Sequence, residues 1–153
     1  MKIKTLLLTL TLLCLAAIVC LASPQIGTWK LNEAKSKLPA GGGKNSTVVY
    51  AADGDNVKVT IDGTNDKGKP AQNTWTGKFD GKDYAVTGDP DSDMRSYKMV
   101  NDRTLDFTVK KGGKTTVTGQ IVVAEDGKSR TVTSTGKDDK GKDVKVVAVY
   151  DKQ

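Results

Sequence analysis

Apolar and polar residues alternate with a period of two along most of this chain. Val57, Val59 and Ile61 fall on one face of an extended segment, with Lys58 and Thr60 on the other. Leu105, Phe107 and Val109 alternate with Asp106, Thr108 and Lys110, and Val144, Val146, Ala148 and Tyr150 alternate with Lys145, Val147 and Val149. Such patterning marks strands with one buried and one wet face. It predicts strands over residues 26–31, 46–52, 56–62, 72–79, 82–87, 93–99, 103–110, 115–123, 128–135 and 143–151. Between them stand Asp53-Gly54, Asp62-Gly63, Lys67-Gly68, Asp80-Gly81, Gly112-Gly113, Asp126-Gly127 and Lys140-Gly141, dipeptides suited to hairpin turns. One window differs: residues 32–37 predict about one helical turn capped by Asn32, stopped by Pro39 and the glycines at 41–43.

Residues 49–69 and 122–142 align at an offset of 73, with 11 of 21 positions identical. Shared turn chemistry explains such a match, and so does a duplicated hairpin; both readings stand. Either way, consecutive hairpins predict an all-β antiparallel meander. Closing it into a barrel of about 8–10 strands removes its edges, and such a barrel encloses side chains or one small ligand. An open sandwich is the alternative.

Residues 1–22 stand outside this pattern. Lys2 and Lys4 precede an apolar run over 6–21, and Cys20-Leu21-Ala22 supplies small residues before Ser23. That is the layout of a cleaved signal peptide, and it is a little short for a membrane span. Val19 before Cys20 and Leu13 before Cys14 disfavour lipidation. Residues 23–153 are then one exported domain of 131 residues, secreted or periplasmic, with no stable membrane insertion after cleavage. It carries 15 Val, 15 Thr and 16 Gly but only Leu31, Leu38 and Leu105, a composition suited to pleated strands and tight turns.

Cleavage also changes the chemistry. Both Cys, at 14 and 20, leave with the signal, so disulfides, thiolate nucleophiles and Cys-ligated metals are excluded from the mature chain. The whole chain has no His, which excludes Ser-His-Asp and Cys-His catalysis and nearly every catalytic zinc site. Lys2 and Lys4 account for two of the six net positive charges, leaving +4. The remaining Lys are interspersed with acids, and no aromatic-basic stacking platform stands out, so nucleic acid is not an expected partner. A carboxylate pair is chemically open to the chain, but its acids cluster in turns. The expectation is a non-enzymatic monomer without a cofactor.

At the N-terminus stands Ile26-Gly27-Thr28-Trp29-Lys30-Leu31, and at the C-terminus Val147-Ala148-Val149-Tyr150-Asp151-Lys152. A Gly-x-Trp first strand followed by a short helical segment resembles the opening of the calycins, the lipocalins and fatty-acid-binding proteins. The closing strand is similar to the latter's Arg-x-Tyr-x-Lys. The layout is also similar to that of small secreted bacterial β-barrel proteins. The resemblance implies a barrel, a structural role for Trp29 as a plug over its closed end, and binding of a small hydrophobic or amphipathic molecule. In the family the closing Arg and Tyr hold a ligand carboxylate. Tyr150 matches, but Ala148 stands at the Arg position, which removes the bidentate anchor. Residues 32–43 are too short for the family's helix-turn-helix lid.

Among the three Arg (95, 103 and 130), Arg130 alternates with Val132 and Ser134. A surface position is the commoner one for Arg; an inward one would replace the missing Arg beside Tyr150. Trp75, Phe79, Tyr84, Tyr97 and Phe107 fall on strands, with Trp75 and Phe79 on one face. These aromatic residues form either a filled core or the lining of a ligand site. The candidate lining is therefore Trp75, Phe79, Tyr97, Phe107, Arg130 and Tyr150. Asp89-Pro90-Asp91-Ser92-Asp93 alternates oxygen ligands as calcium loops do, but Met94 and Val100 stand where Gly and Glu are needed, so no metal is expected. The rival function is an envelope or secreted interaction protein, an accessory factor or inhibitor, with a filled core.

Overall fold

A computed structural model describes residues 23–138 and 140–153. The expected signal segment, 1–22, lies outside the described residues. Ten strands follow one another: β1 Gly27–Leu31, β2 Lys44–Asp53, β3 Asn56–Thr64, β4 Pro70–Gly77, β5 Tyr84–Thr87, β6 Met94–Asn101, β7 Thr104–Lys111, β8 Lys114–Val123, β9 Ser129–Lys137 and β10 Asp143–Lys152. Each pairs antiparallel with its neighbours in sequence, and β1 pairs with both β2 and β10. The meander is thus a closed barrel, and the sandwich alternative falls. Closure leaves no free edge to template association.

The single helical element among the described residues is a 3-10 turn, Glu33–Lys35, capped by the Asn32 side chain, which accepts from the Lys35 N–H. The segment after it is tied to β10: Lys37 N–H donates to Val147 O at 2.7 Å, and Val149 N–H donates to Ser36 Oγ at 2.9 Å. This crossing brings Leu38 to the barrel end that carries Lys44 and Lys137.

Every strand bound falls within two residues of its expected place, and Asp62-Gly63, expected as a turn, lies inside β3. One pair of shifts opens a gap between strands: β4 ends at Gly77 rather than 79, and β5 begins at Tyr84 rather than 82. The reason is a competing pairing. Met99 N–H donates to Phe79 O and Gly81 N–H to Tyr97 O, so residues 79–81 bond directly to β6 below the short β5. Phe79 therefore sits in a connection, not on a strand.

The two copies of the 21-residue repeat share a hydrogen-bond pattern at their second turn. Asn65 Oδ1 accepts the N–H groups of Lys67 and Lys69, and Asp138 Oδ1 accepts those of Lys140 and Lys142. Gly68 and Gly141 take the left-handed φ of 70° and 76° that each turn requires. On the strands leading into these turns the repeat places Val57 and Arg130 at equivalent inward positions.

The interior is divided. One end, closed by residues 23–26 and the C-terminal residues, is packed solid by Trp29, Val59, Trp75, Leu105 and Val123, each 1% exposed or less. There Trp29 Nε1 donates to Gln25 O at 2.8 Å, and Gln25 Nε2 donates to Arg103 O at 3.2 Å. The segment before β1 thus folds over the barrel end as a cap. Trp75 stacks on Phe79 (6.5 Å, 12°) and meets Tyr97 edge-on at 4.8 Å. Gly119 on β8 makes room for the Phe107 ring, since a Cβ there would overlap both that ring, at 2.6 Å, and the Thr133 carbonyl oxygen.

Candidate functional site

The other half of the barrel is open. A cavity of about 490 Å³ runs from the end carrying residues 32–43 and 88–93 down to the aromatic layer. That volume is in the range of small-molecule sites. Its walls are inward residues of successive strands: Val48 and Tyr50 on β2, Ile61 on β3, Tyr97 on β6, Phe107 and Val109 on β7, Ile121 on β8, Val132 on β9 and Ala148 on β10. Leu31 and Leu38 line the mouth, with Lys44 and Lys137. Each mouth lysine has its own carboxylate, Glu33 at 2.6 Å and Asp143 at 2.8 Å.

The expected lining separates into two groups. Tyr97, Phe107, Arg130 and Tyr150 line the cavity. Trp75 and Phe79 do not; they form the filled layer beneath it, packed on Tyr97. Trp29 is not in the wall either; it is fully buried at the closed end, against the Arg130 guanidinium.

Arg130 is inward and only 2% exposed. On β9 it pairs directly with Tyr150 of β10, while Ala148 pairs with Val132. The guanidinium is thus supplied from the neighbouring strand, at the level of the tyrosine. Its Cζ lies 4.7 Å from the Trp29 and Tyr50 ring centroids and 5.2 Å from that of Tyr150, within cation–π range. Rings offer it a negative face but no hydrogen-bond acceptor. Nε and Nη1 are buried without a partner, and among the described residues no carboxylate lies within 4 Å of this side chain. A buried cation without counter-ion or acceptor is costly, and an anionic group entering the cavity would satisfy both wants.

The tyrosines around it stay neutral. Burial, with Tyr97 adding to it, drives the Tyr50 hydroxyl well above its ordinary value, against the opposing pull of Arg130 and Arg95. Burial also raises Tyr150, again opposed by Arg130. Tyr150 already donates its hydroxyl proton to Asn45 O at 3.1 Å, so it steadies the wall between β10 and β2. The site therefore presents protonated phenols and a fixed cation.

Two buried residues escaped the sequence reading. Gln25 precedes the first strand, and no periodicity marks it. Arg95 alternates with Tyr97 on β6, a signal that was available; its side chain lines the cavity at 7% exposure. The aspartates of residues 89–93 serve the turn itself. Asp89 accepts from Asp91 N–H and Ser92 Oγ, and Asp93 accepts from Gly112 N–H.

No protein-family model matches the chain, and no curated protein matches it. Among solved structures it is similar to a redesigned beta barrel, mFAP1, bound to DFHBI: 16% identity over 84% of this chain and 95% of that one, TM-score 0.47. EF1p2_mFAP2b bound to DFHBI is similar at 14% identity over 86% and 96%, TM-score 0.49. A further redesigned beta barrel, b11L5F_LGL, is similar at 15% identity over 86% and 93%, TM-score 0.44.

Proposed function

We propose that residues 23–153 form an exported, monomeric, calycin-like barrel that holds one small hydrophobic or amphipathic molecule without transforming it. The molecule's acidic group sits against Arg130. The observation that carries this reading is the cavity itself: about 490 Å³, walled by Val, Ile, Phe and Tyr, with an uncompensated guanidinium at its base. Apolar walls supply affinity through buried area, and the one fixed charge orients the ligand. The open half of the interior favours this reading over a partner-binding protein with a filled core. Phenols held protonated by burial offer no base, which supports binding rather than catalysis. Export rests on the signal-like residues 1–22, and N-terminal sequencing of the mature protein should begin at Ser23.

The test is mass spectrometry of the natively purified protein before and after organic extraction. A released small acid of largely apolar structure is the expected result. A protein that carries nothing, and that also fails to enhance the fluorescence of an anionic apolar dye, overturns the reading.

A further inference from the structure

A second buried guanidinium faces the same cavity in a different charge environment. Arg95 donates through Nη2 to Asn73 Oδ1 at 3.3 Å and has Asp89 Oδ2 at 3.9 Å. Asp89 is held in place by Ser92 Oγ at 2.6 Å and by Asp91 N–H at 2.9 Å. Arg95 Nη1 is buried with no acceptor, although the side chain lines the cavity. A buried donor left unpaired costs free energy that a correctly placed ligand oxygen recovers.

The charges around the cavity decide which oxygen. Lys44 is balanced by Glu33, Lys137 by Asp143 and Arg95 by Asp89. Asp91, at the rim, is exposed to water. Arg130 alone among these cations has no carboxylate, so the cavity calls for one negative charge, at its base. A second acid beside Arg95 would also lie beside Asp89 and be repelled. A hydroxyl or carbonyl oxygen accepts from Nη1 without that penalty. The two anchors serve one region, because both guanidiniums line the same cavity.

We propose that Arg95 is a specificity-determining residue: the ligand is a single acid whose apolar body carries one hydroxyl or carbonyl oxygen that accepts a hydrogen bond from Arg95 Nη1. This rests on the ligand-binding reading of the cavity. It means the barrel distinguishes oxygenated acids from plain ones of the same length.

The experiment is displacement of 1-anilinonaphthalene-8-sulfonate from the mature protein by dodecanoic acid, by each of its monohydroxy and mono-oxo positional isomers, and by dodecanedioic acid. At least one oxygenated isomer should compete about tenfold better than dodecanoic acid, the gain expected of a hydrogen bond to a charged donor. The diacid should compete no better than the parent. Arg95→Met should abolish the preference, so that the favoured isomer and dodecanoic acid compete alike whatever the change in their common affinity, and Arg95→Lys should restore little of it, lacking the second donor arm. Near-ultraviolet circular dichroism reports whether each variant keeps its aromatic packing. The isomer series on the unmodified protein decides the matter even where a variant does not fold. If dodecanoic acid binds but no isomer is preferred, or the preference survives in Arg95→Met, this inference fails alone. If neither the dye nor any acid binds, the ligand-binding reading fails with it.

Discussion

Replacing Arg130 by Met separates two roles that its position allows, a structural clamp among three rings and a counter-ion for a ligand. Met is similar in length and can fill the space between Trp29, Tyr50 and Tyr150, so little cavity term enters. The stabilising side of the ledger is the three ring contacts at 4.7, 4.7 and 5.2 Å. At about 0.5–2 kcal/mol each they contribute about 1.5–6 kcal/mol. Against them stand the two buried, unpartnered donors Nε and Nη1. At about 1–3 kcal/mol each these cost about 2–6 kcal/mol, before any charge-burial penalty. The terms cancel within their spread. Arg130→Met should therefore leave the ligand-free protein within about 1 kcal/mol of the parent, or make it more stable. The same change should weaken binding of an anionic ligand by about a hundredfold, since it removes a charged partner from a site that excludes water. Urea denaturation followed by fluorescence of the two buried tryptophans measures the first quantity, and dye displacement the second. A loss above about 3 kcal/mol would refute the reasoning: it would show that the ring contacts outweigh the desolvation cost and that Arg130 is primarily a clamp.

Other outcomes follow from the packing. Trp29→Ala empties the fully buried closed end and strands the Gln25 carbonyl, and should cost about 3–5 kcal/mol in a denaturant melt. Gly119→Ala places a Cβ 2.6 Å from the Phe107 ring and should cost about 1–3 kcal/mol, with a changed near-ultraviolet dichroism signal. In alkali the sign runs against stability. Tyr50 and Tyr150 bind their protons more tightly folded than unfolded, so stability is full below the ordinary tyrosine value of 10.0 and falls as pH rises above it. Tyrosinate absorbance from these two residues should appear together with unfolding, and Tyr50→Phe should shift the alkaline midpoint upward.

Most of the ten strands are legible in the chain because they show a period of two between turn residues, and that signal is local; β6, with Arg95, Ser96 and Tyr97 buried in succession, is an exception. Phe79 marks where the local signal ends. Its apolar side chain continues the β4 pattern, but the backbone of residues 79–81 finds better partners on β6, a choice made by the closed sheet. The inward Arg130 is written in its alternation with Val132 and Ser134, yet its lack of a carboxylate depends on what surrounds it in space. Ala148 in place of an Arg reads as a lost anchor along one strand; only the β9–β10 register shows the guanidinium returning beside Tyr150. Whether the aromatic residues fill the barrel or wall a cavity was beyond the pattern altogether. Trp75 and Phe107 look alike in sequence, and it is their height along the barrel axis that puts one in the floor and the other in the wall.

The most direct test is where a bound acid lies. Intermolecular nuclear Overhauser effects between bound dodecanoic acid and the protein should connect its methylenes to the rings of Tyr97 and Phe107 and its carboxylate end to the surroundings of Arg130. Contacts confined to the outer, exposed Met94, Met99, Val100 and Val122, with the inner rings unaffected, would contradict the account.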